Sequence, residues 1–386
     1  MKIVCCSNMP YAREAFSTLG DVFLKDGRAI TASDVRDATI LAIRSTTKAD
    51  RALLEGSPVR FVGTATIGTD HLDTAWFHSA GIKWCYAPGC NANSVAEYIT
   101  AALLCIANRH CFTLEGKTIG IVGVGNVGKL VAGKAAALGM RALLNDPPRE
   151  RSEQSAAGES FVSLDRLLAE SDIVTLHVPL TKEGTDKTYH MADKTFFAKV
   201  KRGCIFINAA RGALVVTNDL LAALDSGIVS HAMIDTWEGE PAYRRDLLER
   251  ADIGTPHIAG HSFEGKVMGT VMVYRAACSF LGVEPSWSPE RLLPAPSVPE
   301  IEKDINDTKD EKALWEIVRR IYDIEADDRR LREGCLADDK ARAAHFDLLR
   351  KNYPERREFR FTRVKLTHAS KQIIAKLAAL GFQLPA

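Results

Sequence analysis

A chain of 386 residues is long enough for two or three domains with a sizeable core. Its 50 basic and 49 acidic side chains leave a net charge of +1, so charge gives no general attraction for nucleic acid or a membrane surface. Nine cysteines with no C-x-x-C pair, an amino terminus (MKIVCCSNMP) too weakly apolar for a signal peptide and the absence of a long apolar run predict reduced thiols in a cytoplasmic protein with no membrane span.

The first 57 residues hold two strand-like runs, KIVCC and ATILAIRS, which predict a smaller α/β unit. From about residue 58 to 260, short apolar runs alternate with helical patterns. VRFVGTAT, TIGIVGVG, ALLND, DIVTLHVP, CIFINAA and HAMIDTW read as strands, and NSVAEYITAALLCIANRH, GKLVAGKAAALGM, LDRLLAES and NDLLAALDSG as helices. In the last, Asn218 is the expected N-cap and Gly227 lies just past the end. Strand and helix in alternation predict a parallel sheet covered on both faces. Prolines at 285, 289, 294, 296 and 299 mark a linker. Beyond it the chain is strongly charged, with a helical EKALWEIVRRIYDI and a strand-like FRFTRVKL. Trp315, Ile317, Val318, Ile321 and Tyr322 recur at helical spacing and need a surface to pack against.

The strand TIGIV runs into Gly123, Gly125 and Gly128, spaced G-x-G-x-x-G, and a helical pattern leaves the third glycine. In that context the first glycine permits a tight turn, the second lets backbone approach a pyrophosphate, and the third lets helix and strand pack closely. An acidic residue is expected about 20 positions on, and Asp146 stands there. Its carboxylate would accept hydrogen bonds from the adenine ribose and repel a 2′-phosphate, which favours NAD over NADP.

Three further segments follow apolar strands and so belong at the carboxyl edge of the sheet: INAARGALV with Arg211, IDTWEGEP with Glu240 and GTPHIAG with His257. His257 and His261 are four apart, but Gly254, Pro256 and Gly260 argue against the continuous helix that would let them share a metal. His71, His177 and His231 have no partner at metal-ligand spacing and read as structural, so no metal is expected.

GIVGVGNVG, NAARG, DTWEGEP and TPHIAG together resemble the signature segments of the D-isomer-specific 2-hydroxyacid dehydrogenase family. NMPYAR, IRSTTKA, GTATIGTDHLD, APGCNANSVAEY, GTPHIAGHSFEGKVMGT, LLPAPS and FDLLRKNYPERRE are similar to one branch of it, which carries an extra tail and acts on a phosphorylated substrate. The resemblance implies two Rossmann-like doubly wound parallel-sheet domains and a C-terminal α+β dimerisation domain. Residues 1–95, completed by 257–284, would bind substrate, 96–256 would bind NAD, and 287–386 would make a homodimer. It implies that Arg211 holds the substrate carboxylate, that His257 takes the hydroxyl proton and that Glu240 orients His257. Asn126, Val127, Asp146, Thr175, Ala209, Ala210, Arg211, Asp235 and Gly260 would line the NAD site with the three glycines. Ser45 and Thr66 would contact substrate. His261 would do so too, at a position where the branch usually has tyrosine. The rival readings are a sibling dehydrogenase acting on phosphoglycerate, glyoxylate or hydroxypyruvate, and a dehydrogenase-fold corepressor that senses NAD.

Overall fold

The computed structural model describes residues 1–153, 160–306, 308–335 and 338–385. The chain divides into two compact units, Met1–Ala92 with His261–Ala295 and Asn93–Gly260 with Pro296–Ala386. Among the described residues no helix is long and apolar enough to cross a membrane.

The first unit is built on a parallel sheet of β1 (Lys2–Cys6), β2 (Asp21–Lys25), β3 (Ala38–Ile43), β4 (Phe61–Thr64) and β5 (Lys83–Cys85), in the order β2-β1-β3-β4-β5. Separate apolar clusters around Phe16 and Tyr274 and around Leu41 and Phe77 pack the unit. Strand order reverses between β1 and β3, so the loops after β3 and β4 lie beside the crevice at the carboxyl edge where doubly wound sheets take ligands.

In the second unit β6 (Thr118–Val122), β7 (Arg141–Asn145), β8 (Ile173–Leu176), β9 (Cys204–Asn208), β10 (Val229–Ile234) and β11 (Ile253–Gly254) form a parallel sheet in the order β11-β10-β9-β8-β6-β7. β6, β8 and β9 are buried throughout, which is why they read as continuous apolar runs rather than alternating ones. The switch point falls between β6 and β8, and the glycine loop follows β6 there. One expected cap is corrected. The helix Thr217–Asp225 starts two residues early, with Val216 at the cap, and the Thr217 N–H is received by Glu238 Oε2 at 3.0 Å.

Of residues 287–386, expected as a domain of their own, Pro296–Ala386 cluster with the nucleotide-binding unit. They add a parallel pair, β12 (Glu300–Asp304) and β13 (Arg363–Thr367), and the helices Asp310–Ile321, Ile324–Glu333, Asp339–Lys351 and Lys371–Leu380. Trp315, Ile317, Val318 and Tyr322 find their surface inside the chain, in one core with the helix Ala92–Arg109 and the strand residues Ile119, Ile121 and Ile253.

Candidate active site

After β6 the chain turns at Gly123, φ 91°, a conformation that side chains with a Cβ rarely adopt. A Cβ at Gly128 would sit 2.1 Å from the Gly123 carbonyl oxygen, so only glycine lets the helix Asn126–Ala137 lie this close to its strand. A Cβ at Gly125 would meet nothing within 4 Å. Gly125 and Asn126 are exposed and Val127 half-buried, and the 12-residue helix turns its first amides and positive dipole end to that open space. This is the cradle a pyrophosphate needs. Asp146, after β7, accepts the Val124 N–H at 2.8 Å and caps the helix Pro147–Ser152 through the Arg149 N–H at 3.1 Å. Two of its roughly four acceptor positions are thereby engaged, leaving capacity for ribose hydroxyls. These residues fit NAD.

Thr175, after the middle of β8, is fully buried, and its hydroxyl lies 3.0 Å from His177 Nε2. Burial pushes the His177 imidazole down to about 3, so it stays neutral beside the cofactor loop. The Ala209–Arg211 segment is set by Asn208. Its amide nitrogen donates to the Arg211 carbonyl at 3.0 Å and its oxygen accepts the Ala210 N–H at 3.2 Å. Arg211 is half-buried, and its Nη1 donates to the Ala210 carbonyl at 2.8 Å.

Glu240 and His257 form the pair the sequence suggested. Glu240 Oε1 lies 2.5 Å from His257 Nδ1, while Oε2 accepts the Trp237 N–H at 3.0 Å. Burial works against the Glu240 carboxylate, yet the charge and hydrogen bond of His257, the Trp237 amide and the charge of Arg350 together hold it below the usual carboxylate range. His257 is thus oriented through Nδ1, with Nε2 left for a substrate proton. Its backbone has φ 55°, left-handed for a residue other than glycine, which costs about 1–3 kcal/mol and persists only where the surroundings over-determine it.

Asp235 supplies much of that determination. Its backbone carbonyl accepts the His257 N–H at 2.8 Å, and its carboxylate takes the Thr255 hydroxyl at 2.6 Å and the N–H groups of Ile258 at 2.7 Å and Ala259 at 3.0 Å. Complete burial raises its carboxyl above the usual range. Expected as a cofactor contact, Asp235 lies beneath the histidine loop and acts on its backbone. Gly260 ends that loop, half-buried.

In the first unit Ser45 is exposed in the turn after β3. The Thr66 hydroxyl, after β4, is 2.8 Å from the Thr64 hydroxyl and donates to the Gly68 carbonyl at 3.0 Å. Thr47 turns inward and donates to the Gly27 carbonyl at 2.8 Å, and Lys48 pairs with Asp50 at 2.9 Å. His261 is half-buried just before the helix Phe263–Leu281, and no helix runs across 257–261.

His231 does have partners, brought to it by the fold. Asp252 Oδ1 is 3.0 Å from His231 Nδ1 and 2.9 Å from His110 Nε2, and the two rings lie 4.0 Å apart. Asp252 Oδ2 accepts the Ala232 N–H at 3.1 Å, and Arg109 donates to the Asp252 carbonyl at 2.8 Å. The cluster clips the end of the helix Ala92–Arg109 to the edge of the sheet. Motif reading missed the residues that hold the histidine loop, among them Tyr98, whose hydroxyl lies 2.8 Å from that of Thr255, and Asp328 and Arg356 of the tail. Their partners are 74 to 157 positions away in sequence, so no local signal marks them.

Comparison with known proteins agrees with this geometry. Residues 106–259 match the family model described as "D-isomer specific 2-hydroxyacid dehydrogenase, NAD binding domain", and residues 292–381 match a domain of unknown function. The chain is 45% identical over 382 residues to the erythronate-4-phosphate dehydrogenases of Escherichia fergusonii and Shigella flexneri, covering 99% of this chain and 98% of each relative. Among solved structures it is similar to the TT0316 protein of Thermus thermophilus (27% identity, TM-score 0.64, 74% of this chain and 99% of that one). It is also similar to the D-lactate dehydrogenase of Aquifex aeolicus solved with NAD and lactic acid (26%, TM-score 0.61, 72% and 95%). The chain therefore belongs to the D-isomer-specific 2-hydroxyacid dehydrogenase family and carries its NAD-binding domain.

Proposed function

We propose that this enzyme oxidises 4-phospho-D-erythronate to (R)-3-hydroxy-2-oxo-4-phosphooxybutanoate, a step toward pyridoxal 5′-phosphate. The observation that carries the chemistry is the Glu240–His257 contact of 2.5 Å at the carboxyl edge of a dinucleotide-binding sheet. The substrate follows from the full-length likeness to erythronate-4-phosphate dehydrogenases. Arg211 holds the substrate carboxylate through a charge-assisted fork. His257 Nε2 accepts the proton of the carbon-2 hydroxyl as the carbon–hydrogen bond breaks, and Glu240 stabilises the imidazolium that forms. NAD, when bound, accepts the hydride. Purified protein given NAD and a panel of 2-hydroxy acids should form NADH fastest with 4-phosphoerythronate. A preference for phosphoglycerate or lactate, or no turnover at all, would reject the assignment.

Cofactor choice gives a sharper test. A 2′-phosphate would face the Asp146 carboxylate, and the nearby cations are engaged elsewhere. Arg149 donates to Glu153 at 2.7 and 2.6 Å, and Arg151 to Asp186 at 2.5 Å. Like-charge contact of about 3 kcal/mol predicts a roughly 10²-fold preference for NAD over NADP in kcat/KM. Asp146→Ser should narrow that preference while keeping an N-cap oxygen for the helix Pro147–Ser152. Equal efficiency with the two cofactors in the parent protein would refute the role of Asp146.

A cytoplasmic homodimer formed through residues 287–386, without a nucleic-acid partner, belongs to the same reading. The apolar stripe around Trp315 packs inside the chain, so the remaining structural support is the exposure of Leu348 and Ile374 on the tail helices, 53% and 41%. Light scattering on the full-length protein should give twice the chain mass of 42.3 kDa. A monomeric mass across a wide concentration range would end the dimer proposal.

A further inference from the structure

The tail reaches the loops that carry the catalytic pair at several points. Asp328 Oδ1 accepts the Gly254 N–H at 2.7 Å. Arg332, held to Asp328 at 2.9 Å, donates to the carbonyls of Leu248 at 2.8 Å and Ala251 at 2.7 Å. Arg356 Nη2 donates to the Ala259 carbonyl at 2.6 Å and the Ser94 carbonyl at 3.1 Å. Arg342 Nε donates to the carbonyl of Tyr243, three residues past Glu240, at 3.0 Å. Gly254 and Ala259 are thus gripped from the tail with His257 between them, and Asp235 holds the same segment from inside the sheet.

We propose that the tail is a positioning element of the catalytic centre, in which Arg356, assisted by Asp328, fixes the left-handed turn at His257 so that its imidazole stays on Glu240. The proposal rests on His257 being the base. It assigns a task in catalysis to a segment whose family model is a domain of unknown function. Arg356 is a positioning residue, since it acts through the Ala259 carbonyl.

A purely structural role explains Arg356 poorly. The side chain is 4% exposed, its guanidinium lies 4.3 Å from the centre of the Tyr322 ring, and its Nε and Nη1 have no hydrogen-bond partner among the described residues. Burying a charged group with donors left over is costly, and an apolar side chain of similar volume often serves stability as well or better. What the apolar side chain cannot do is donate to the Ser94 and Ala259 carbonyls together, as Arg356 Nη2 does.

The test uses the full-length protein with Arg356→Met and Arg356→Lys, reading kcat, KM, NAD affinity by fluorescence titration and mass. Arg356→Met should fold, bind NAD as the parent does and lose about 10²-fold in kcat, the scale for misplacing a reacting group by about 1 Å. Arg356→Lys, which keeps the charge and three rotatable donors on a shorter stem, should recover part of that loss. A folded Met variant with parental kcat overturns the proposal, as does a parallel fall of kcat and NAD affinity, which would indicate a general loss of structure. Should the Met variant fail to fold, the Lys variant decides, because an ammonium on a shorter, unbranched stem does not reach the place of Nη2 between the two carbonyls. Reduced kcat at unchanged NAD affinity supports positioning, and parental kcat overturns it. His257→Asn assayed alongside separates this outcome from failure of the base assignment, since only the latter leaves that variant active.

Discussion

His257→Asn should lower turnover roughly 10²- to 10⁴-fold, the range for losing a general base, with NAD affinity nearly unchanged. Asparagine is the informative replacement because it tolerates the left-handed backbone found here at φ 55° better than most residues. The loop therefore keeps its course over Asp235, and the loss reports the missing imidazole rather than a collapsed turn. The cofactor loop at Gly123–Gly128 follows a different strand, so binding should survive. Glu240→Gln completes the argument. The Glu240 carboxyl is held below its usual range and so remains ionised near neutrality, where it favours the imidazolium 2.5 Å away. Glutamine keeps an acceptor for the Trp237 N–H but removes that charge, so the imidazolium formed in the reaction loses its partner and kcat should fall about 10-fold or more. Parental kcat in Glu240→Gln would contradict the pairing. Parental turnover in His257→Asn would remove His257 as the base.

Much of the nucleotide-binding unit was legible because its signals are local. An apolar strand running into G-x-G-x-x-G identifies a strand, a turn and a helix in eleven residues, and the structure has β6, the Gly123 turn and the helix Asn126–Ala137 there. The pairing of Glu240 with His257 was legible only through family resemblance, since nothing in their spacing of 17 brings them together. The tail misleads when read locally. PERRE at 354–358 looks like a solvated charge run, yet Arg356, Arg357 and Glu358 are buried. Glu358 accepts from Asn93 at 2.9 Å, across 265 positions. Charge signals exposure only when partners are absent, and partners that distant leave no mark on a local pattern. Asp235 shows the same limit at a single residue. The family resemblance places it in the cofactor site, while its hold on Thr255, Ile258 and Ala259 leaves no mark on the local pattern.

Removing the substrate's 4-phosphate should cost roughly 10⁴-fold in kcat/KM, because donors arranged for an anion would be left facing no partner. With Arg211 proposed to hold the carboxylate, the dianionic end needs donors of its own. The turn after β3 narrows the choice. Of the cluster Arg44–Lys48, Thr47 is engaged with the Gly27 carbonyl and Lys48 with Asp50, the Thr46 hydroxyl lies 4.0 Å from Cys6 Sγ, and Ser45 is exposed. Arg44 is half-buried beside them, its Nη1 directed to the Asn8 carbonyl at 3.3 Å. Ser45 thus becomes the leading contact in that turn, and Lys48 falls away as one. A hydrogen bond to a charged group is worth about 1.5 kcal/mol or more, so Ser45→Ala should weaken 4-phosphoerythronate about 10-fold. Unphosphorylated erythronate, which makes no such bond, should change little with the same substitution. Lys48→Ala should leave both nearly unaltered, since its charge is already matched by Asp50. Comparable efficiencies for erythronate and its phosphate in the parent protein would reject the phosphate site and leave the chain a dehydrogenase of unphosphorylated 2-hydroxy acids. Equal effects of Ser45→Ala on the two acids would keep the phosphate requirement but move its donors away from this turn.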